Sequence, residues 1–235
     1  MEDNFPENSR FFYAAQDLRF LLGRDYPRPG ALTFVGNRYQ LAKDLRDILN
    51  RGVYPDGEAA ARRSKLLAPD RIRGRGVGID GHNVLITLES ALLGRTLVEC
   101  DDGLIRDTAG LHGSYRPSEA TETAIDLIVD FLIKQGVKGV LFLLDAPLTF
   151  SGETAAQVNA VLAGRGLMGR ARAVPIPEME LNVFSGPVAT SDSVLIDQVP
   201  EPFDLAGWII REIIPPEALM RLRPSVGFRN GGKVA

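Results

Sequence analysis

The sequence predicts an α/β protein, a three-layer domain with a central parallel sheet, preceded by a small all-α domain. From Gly76 onward, short apolar strands alternate with amphipathic helices, which is typical of a parallel sheet covered by helices. Before Gly76, apolar residues recur at helical spacing. We therefore expect a helical domain over residues 1–53, a basic linker over 54–75 and an α/β domain over 76–235.

The N-terminal domain is predicted to contain two helices, near residues 11–22 and 41–50, because apolar side chains share one face in each segment. Pro27 and Pro29 are expected to form a turn between them. The side chains expected to pack against both helices are Phe34, Val35 and Tyr39.

The α/β domain is predicted element by element from its apolar runs and turn residues. The expected strands cover residues 77–79, 97–100, 103–105, 140–144, 171–174 and 188–190. The expected helices cover residues 83–93, 118–135, 153–162 and 203–213. The run at 140–144 is apolar throughout, which suits a central strand buried on both faces. Residues 97–105 are expected to form a hairpin around Asp101 and Asp102.

Composition narrows the classes of protein that are possible. No apolar run is long enough for a membrane helix, the polar, acidic start is unlike a signal peptide, and Cys100 is the single cysteine. We therefore expect a cytoplasmic protein. Residues 1–75 carry 14 basic and 10 acidic side chains, whereas residues 76–235 carry 13 and 20. The excess acid lies in the α/β domain, where it could hold cations.

Three predicted strands end in an aspartate, namely Asp80, Asp145 and Asp192. The carboxyl ends of parallel strands lie at one edge of a sheet, where ligands bind, so these carboxylates are expected to converge. Clustered carboxylates repel one another, and oxygen ligands favour Mg²⁺ or Mn²⁺. The chemistry that such a site favours is phosphoryl-ester hydrolysis. The competing interpretation is that each aspartate is a helix N-cap, and Asp192 is the most open to it because serines flank it.

Four motifs in this order resemble the NYN branch of PIN-like nucleases, over about residues 76–200. They are Gly78-Ile79-Asp80-Gly81-His82-Asn83, Leu143-Leu144-Asp145-Ala146, Gly152-Glu153-Thr154-Ala155 and Val188-Ala189-Thr190-Ser191-Asp192. The N-terminal domain, with residues 34–39, resembles a prokaryotic family of unknown function.

The resemblance implies that Asp80, Asp145 and Asp192 are catalytic and bind metal, with Glu153 as a fourth ligand. It also implies that Asn83 orients Asp80 or touches a phosphate and that Thr190 and Ser191 support the last aspartate. Two positions depart from the pattern: His82 stands where an aromatic residue is usual, and Ala156 where an aspartate often follows.

Further residues are candidates from their position alone. Asp102 and Asp197 are possible additional acids of the site. Arg116, in the polar loop that starts at His112, is a candidate for substrate contact, and so are Arg71 and Arg73 in the basic run at 61–75.

The leading hypothesis is a metal-dependent nuclease acting on single-stranded or structured nucleic acid, with RNA favoured over DNA because PIN-like relatives mostly act on RNA. One alternative is a non-catalytic module on the same fold that binds nucleic acid or protein. A second is a Rossmann-type nucleotide-binding protein, since residues 76–81 spell G-x-G-x-x-G. That pattern needs a strand before its first glycine, and the preceding residues are basic and polar.

Overall fold

The computed structural model describes residues 7–108 and 116–223, with side chains from Ser9 onward. The chain begins with a helical region of four helices, α1 (Glu7–Leu22), α2 (Arg28–Arg38), α3 (Lys43–Gly52) and α4 (Asp56–Lys65). Their buried side chains, among them Leu18, Val35 and Leu49, form a core that also includes Val98 and Cys100 of the following α/β region. The helical region therefore packs on the α/β region.

Two predictions for the helical region were wrong. Pro29 does not form a turn, because it lies in the first turn of α2, where the missing N–H of proline would have had no helical partner. Phe34 does not pack inward, because its side chain is 64% exposed, although Val35 and Tyr39 are buried. The segment expected as a basic linker, residues 54–75, contains α4 and a 3₁₀ turn at Pro69–Ile72.

The predicted parallel sheet is confirmed. Its strands are β1 (Gly76–Asp80), β4 (Gly139–Asp145), β5 (Gly169–Val174), β6 (Val188–Ala189) and β7 (Pro202–Phe203). They are ordered β5-β4-β1-β6-β7 and each neighbouring pair is parallel. A second sheet of order β3-β2-β8 contains β2 (Leu97–Glu99), β3 (Ile105–Asp107) and β8 (Leu219–Arg221). Its β2–β3 pair is the predicted antiparallel hairpin.

Helices cover both faces of the large sheet. They are α5 (Gly81–Leu92), α6 (Glu119–Lys134), α7 (Ser151–Arg165), α8 (Pro177–Leu181), α9 (Ser193–Gln198) and α10 (Leu205–Ile213). Successive residues of β4 divide between two cores, as strand geometry requires: Phe142 and Leu144 join the larger one, and Leu143 joins the one that contains Leu181 and Leu195. Within the described ranges, no helix is long and apolar enough to cross a membrane.

Candidate active site

The sheet reverses its strand order beside β1. Numbered along the chain, the five parallel strands lie in the order 3-2-1-4-5, so β1 and β6 are neighbours whose connections leave in opposite directions. In open α/β sheets, ligands bind outside the carboxyl ends of the strands at such a point. Asp80 ends β1, and Thr190, Ser191 and Asp192 follow β6. The fold therefore brings two of the three predicted aspartate motifs to its switch point.

Asp80 is buried at this point, with 1% of its surface exposed. Its Oδ2 accepts hydrogen bonds from Asn83 Nδ2 at 2.7 Å and from Thr190 Oγ1 at 2.7 Å. Burial raises the pKa of Asp80 to about 7; the two hydrogen bonds oppose this shift, whereas the charges of Asp145 and Glu178 add to it. Asp80 is thus a carboxyl group held rigidly in a site where a negative charge is costly.

Asp145 ends β4 and is held by His82 of α5. The Nδ1 atom of His82 lies 2.8 Å from Asp145 Oδ2 and 3.0 Å from its backbone nitrogen. When Nδ1 carries a proton it donates to the carboxylate, and when it does not it accepts the backbone N–H. The histidine therefore keeps Asp145 in place in either state, although the resemblance expected an aromatic side chain at that position.

Asp192 has the capping role that the competing interpretation proposed. Its Oδ1 accepts the Leu195 backbone N–H at 2.8 Å and caps α9. Its own backbone N–H donates to Thr190 Oγ1 at 3.0 Å, and the same hydroxyl donates to Asp80. Capping uses one carboxylate oxygen, and Oδ2 accepts no hydrogen bond from the described residues. Thr190 links Asp192 to Asp80.

A cleft of about 530 Å³ opens at this edge of the sheet. It is lined by Asn50, Arg51, Tyr54, His82, Asn83, Ile86, Arg106, Asp145, Pro147, Leu148, Glu178, Ser191, Asp192 and Ser193. Asn83 and Ser191 were expected here from the sequence. We call this surface the carboxyl-edge cleft.

The third acid in the lining of the carboxyl-edge cleft is Glu178, which was not predicted from the sequence. Glu178 lies in the first turn of α8, and its charge acts on Asp80. Glu153, expected from the resemblance, is an exposed residue of α7 and is not part of the described lining of the cleft. The available signal was Pro177, which favours a helix start directly before Glu178.

The acids fit a hard cation in type, since they offer oxygen atoms only. Asp80 Oδ1 and Asp192 Oδ2 accept no hydrogen bond from the described part of the chain, and burial of Asp80 is a cost that a cation would relieve. Yet among residues 7–108 and 116–223, no three His, Cys, Asp or Glu side chains lie close enough together to hold a metal ion. A cation held by three or more of these acids would therefore require their side chains to move closer together.

Asp102 and Asp197, the possible additional acids, are engaged elsewhere. Asp102 is fully buried and accepts two hydrogen bonds of 2.8 Å from the Arg106 guanidinium. Arg62 of α4 contacts Asp102 at 3.3 Å and binds both oxygens of Asp197 at 2.7 and 2.8 Å. These acids form an ion-pair network that joins the helical region to the α/β region.

The basic candidates also lie away from the carboxyl-edge cleft. Arg71 and Arg73 are exposed residues that precede the amino end of β1. The chain around them is tied to the amino ends of neighbouring strands, since Lys138 N bonds to Arg75 O and Leu67 N bonds to Pro202 O. Arg71 and Arg73 thus lie at the opposite edge of the sheet. Arg116 is exposed and is not in the described lining, and residues 112–115 lie outside the described ranges.

The glycines of the G-x-G-x-x-G pattern are not in a phosphate-binding turn. Gly76 and Gly78 are residues of β1, and Gly81 begins α5. A Cβ atom on Gly81 would lie 2.5 Å from Phe142 Cε1 and 2.6 Å from Leu143 O. Gly81 is therefore needed for the close approach of α5 to β4. The strand that a dinucleotide site requires before the first glycine is missing from the described chain.

The fold and the cleft define a parallel α/β protein with an acidic site at its switch point. Residues 69–208 match the family described as "Domain of unknown function (DUF5616)", and the chain belongs to this family. Residues 10–65 match the family described as "Protein of unknown function (DUF434)". The "Uncharacterized protein MJ0935" of Methanocaldococcus jannaschii is 34% identical over 183 residues, which cover 78% of this chain and 87% of that protein. No solved structure matches the chain.

These matches agree with the predicted two-domain layout and with the resemblance of the N-terminal domain to a family of unknown function. The resemblance of the α/β region to PIN-like nucleases stays a prediction.

Proposed function

We propose that this protein is a metal-dependent hydrolase of phosphodiester bonds, with single-stranded or structured RNA as its substrate. The observation that carries the proposal is Asp80, a buried carboxyl group at the topological switch point whose pKa is raised to about 7 beside Asp145 and Glu178. Strongly shifted acids in a cleft are typical of functional sites. The single, buried Cys100 suits a reducing cytoplasm as the place of this activity.

Four acids would hold the metal in this proposal, namely Asp80, Asp145, Asp192 and Glu178. When bound, Mg²⁺ or Mn²⁺ supplies positive charge that lowers the pKa of water and neutralises the phosphate oxygens. Glu178 takes the place that the resemblance gave to Glu153, because Glu178 lines the cleft and its charge acts on Asp80.

The surrounding residues position these acids. Asn83 and Thr190 both donate to Asp80 Oδ2, which leaves Oδ1 for other contacts. His82 restrains Asp145, and Thr190 also binds the backbone of Asp192. Such fixed partners reduce the reorganisation that binding and catalysis require.

The test is calorimetric titration of Mn²⁺ into the wild-type protein and into three variants. Asp80→Asn/Asp145→Asn and Glu178→Gln should lose Mn²⁺ binding, whereas Glu153→Gln should bind like the wild type because Glu153 is exposed on α7. Mn²⁺-dependent cleavage of a labelled RNA should likewise be lost in Asp80→Asn/Asp145→Asn and Glu178→Gln and be retained in Glu153→Gln. Absence of Mn²⁺ binding to the wild type would overturn the proposal.

One observation favours a second function, a non-catalytic module that binds nucleic acid or protein. The described acids do not form a group that holds a metal ion as they stand. Cleavage separates the two functions: Mg²⁺-dependent cleavage that is lost in Asp80→Asn supports the hydrolase, and RNA binding that is unchanged in Asp80→Asn without cleavage supports the module.

A further inference from the structure

We infer that the helical region supplies a phosphate-binding subsite to the carboxyl-edge cleft, with Arg51 of α3 as the residue that binds the anionic backbone of the substrate. The inference rests on the proposed function for the class of anion, a phosphodiester. It assigns a direct role in binding to the segment before the α/β region.

The helical region forms one wall of the carboxyl-edge cleft. Of the described lining residues, Asn50, Arg51 and Tyr54 come from α3 and the segment that follows it. This wall is fixed in place: Arg28 donates to the carbonyl oxygens of Asn50 and Val53 at 3.0 and 2.9 Å, and Tyr54 Oη donates to Arg51 O at 2.9 Å. Three guanidinium groups, from Arg28, Arg62 and Arg106, also lie within 5.4 Å of the Tyr54 ring centre.

The position of Arg51 links the wall to the α/β region. Its guanidinium donates to the Asp107 carbonyl oxygen at 3.2 Å and lies 3.7 Å from the Asp107 carboxylate. Asp107 ends β3. The Arg51 side chain is 28% exposed and is part of the lining of the cleft.

The negative charge of the carboxyl-edge cleft explains why a phosphodiester would need a cationic side chain there. Asp145, Glu178 and Asp192 line the cleft and Asp80 lies beneath it, so a phosphodiester that enters meets four carboxyl groups. Two arginines line the same cleft.

Both arginines have partners in the protein, and they differ in exposure. Arg106 has a side-chain exposure of 7%, and it gives both terminal nitrogens to Asp102 and its Nε to Ser191 O at 2.7 Å. Because its side chain is the more exposed of the two, Arg51 is the cation of the described lining that is placed to meet an incoming anion. A guanidinium group suits this role because it forms strong, directional hydrogen bonds to phosphate.

The test is fluorescence anisotropy of a labelled short oligouridylate with the full chain in EDTA, where cleavage is excluded. Arg51→Gln should weaken binding roughly tenfold or more and lower the slope of log affinity against log salt by about 0.7 for the lost contact. Arg51→Lys keeps the positive charge, and its affinity for the oligouridylate should lie between those of the wild type and Arg51→Gln. The matched control is Arg71→Gln/Arg73→Gln, which removes two arginines at the opposite edge and should bind like the wild type.

Thermal unfolding of each variant separates lost binding from lost structure, and Arg51→Lys provides a folded variant if Arg51→Gln is unstable. Equal affinity of the wild type and Arg51→Gln, a loss confined to the Arg71→Gln/Arg73→Gln variant, or no binding by the wild type would overturn the inference. Because EDTA removes divalent ions, this result is independent of the Mn²⁺ titration, so failure of the subsite and failure of the proposed hydrolase are distinguishable.

Discussion

At the scale of single residues, Asp80 couples the stability of the fold to pH. Its pKa is about 7 in the folded protein against an ordinary value of 3.8, so between these values the folded chain binds a proton that the unfolded chain has released. Protonated Asp80 makes its full contribution to the free energy of unfolding below about pH 4. This contribution, roughly 2–4 kcal/mol, is lost as the pH rises through 7.

We expect Asp80→Asn to have a flatter dependence of unfolding free energy on pH than the wild type. Asparagine keeps an oxygen that accepts from Thr190 but carries no titratable group. Urea unfolding at about pH 5 and about pH 8 in EDTA measures the difference. Equal dependence in both proteins would show that Asp80 is already ionised in the folded state at the lower pH.

At the scale of secondary structure, the approach of α5 to β4 depends on Gly81. A Cβ atom there would meet the ring of Phe142 and the carbonyl of Leu143 at less than 3 Å. Gly152 in the first turn of α7 is the matched case, because no atom lies within 4 Å of the position that a Cβ atom would take there.

We expect Gly81→Ala to lower the free energy of unfolding by about 2–4 kcal/mol, since overpacking forces the helix away from the strand. Gly152→Ala should be neutral or stabilising by up to about 1 kcal/mol, because alanine favours the helix. Chemical unfolding of both variants makes the comparison. A Gly81→Ala protein as stable as Gly152→Ala would contradict this account of the helix–strand contact.

The longer elements of the α/β region were predictable because each one has a local signature, whereas the short elements α8, α9, β7 and β8 were not predicted. The run at 140–144 is apolar throughout and Ser118 begins the longest predicted helix, and both signals lie within a few residues. The sequence does not predict α2, because Pro27 and Pro29 also suit a turn, although proline is favourable in the first turn of a helix. Whether a segment forms a helix or a strand is largely determined by its local sequence. A residue such as proline is compatible with both a turn and a first helical turn, and tertiary contacts decide between the two.

The candidate site was predictable only in part, for a related reason. Asp80 and Asp145 could be placed at one edge because parallel strands align their carboxyl ends. Glu178 and Arg51 could not, because α8 and α3 reach the cleft through packing between segments that are distant along the chain. Arg71 and Arg73 were assigned to substrate binding by charge alone, and charge does not specify the edge of the sheet.

At the scale of the whole molecule, the turn between β2 and β3 joins the helical region to the α/β region. Asp101 is fully buried there and binds Arg19 of α1 through two hydrogen bonds of 2.8 Å. Its Oδ2 also accepts the Tyr54 backbone N–H at 3.2 Å. The next residue, Asp102, holds Arg62 and Arg106. These two adjacent acids were expected in a tight turn, with Asp102 also a possible acid of the site, and they bind arginines from both regions instead.

We expect Asp101→Asn to cost about 3 kcal/mol, because it leaves Arg19 facing a neutral side chain. Asp126→Asn is the control, since Asp126 forms an exposed pair with Arg165 and such pairs contribute little. Trp208, the single tryptophan, reports on α10, and far-ultraviolet circular dichroism reports on all helices. The two signals should coincide in wild-type unfolding and separate in Asp101→Asn; coincident curves with unchanged midpoints would refute a joining role.

The carboxyl-edge cleft is divided between two segments of the gene. Its wall, with Asn50, Arg51 and Tyr54, lies within residues 10–65, whereas Asp145, Glu178 and Asp192 lie within 69–208, and each segment matches a family of its own. A chain without residues 10–65 would lack Asn50, Arg51 and Tyr54, and a chain without residues 69–208 would lack the three acids that line the cleft.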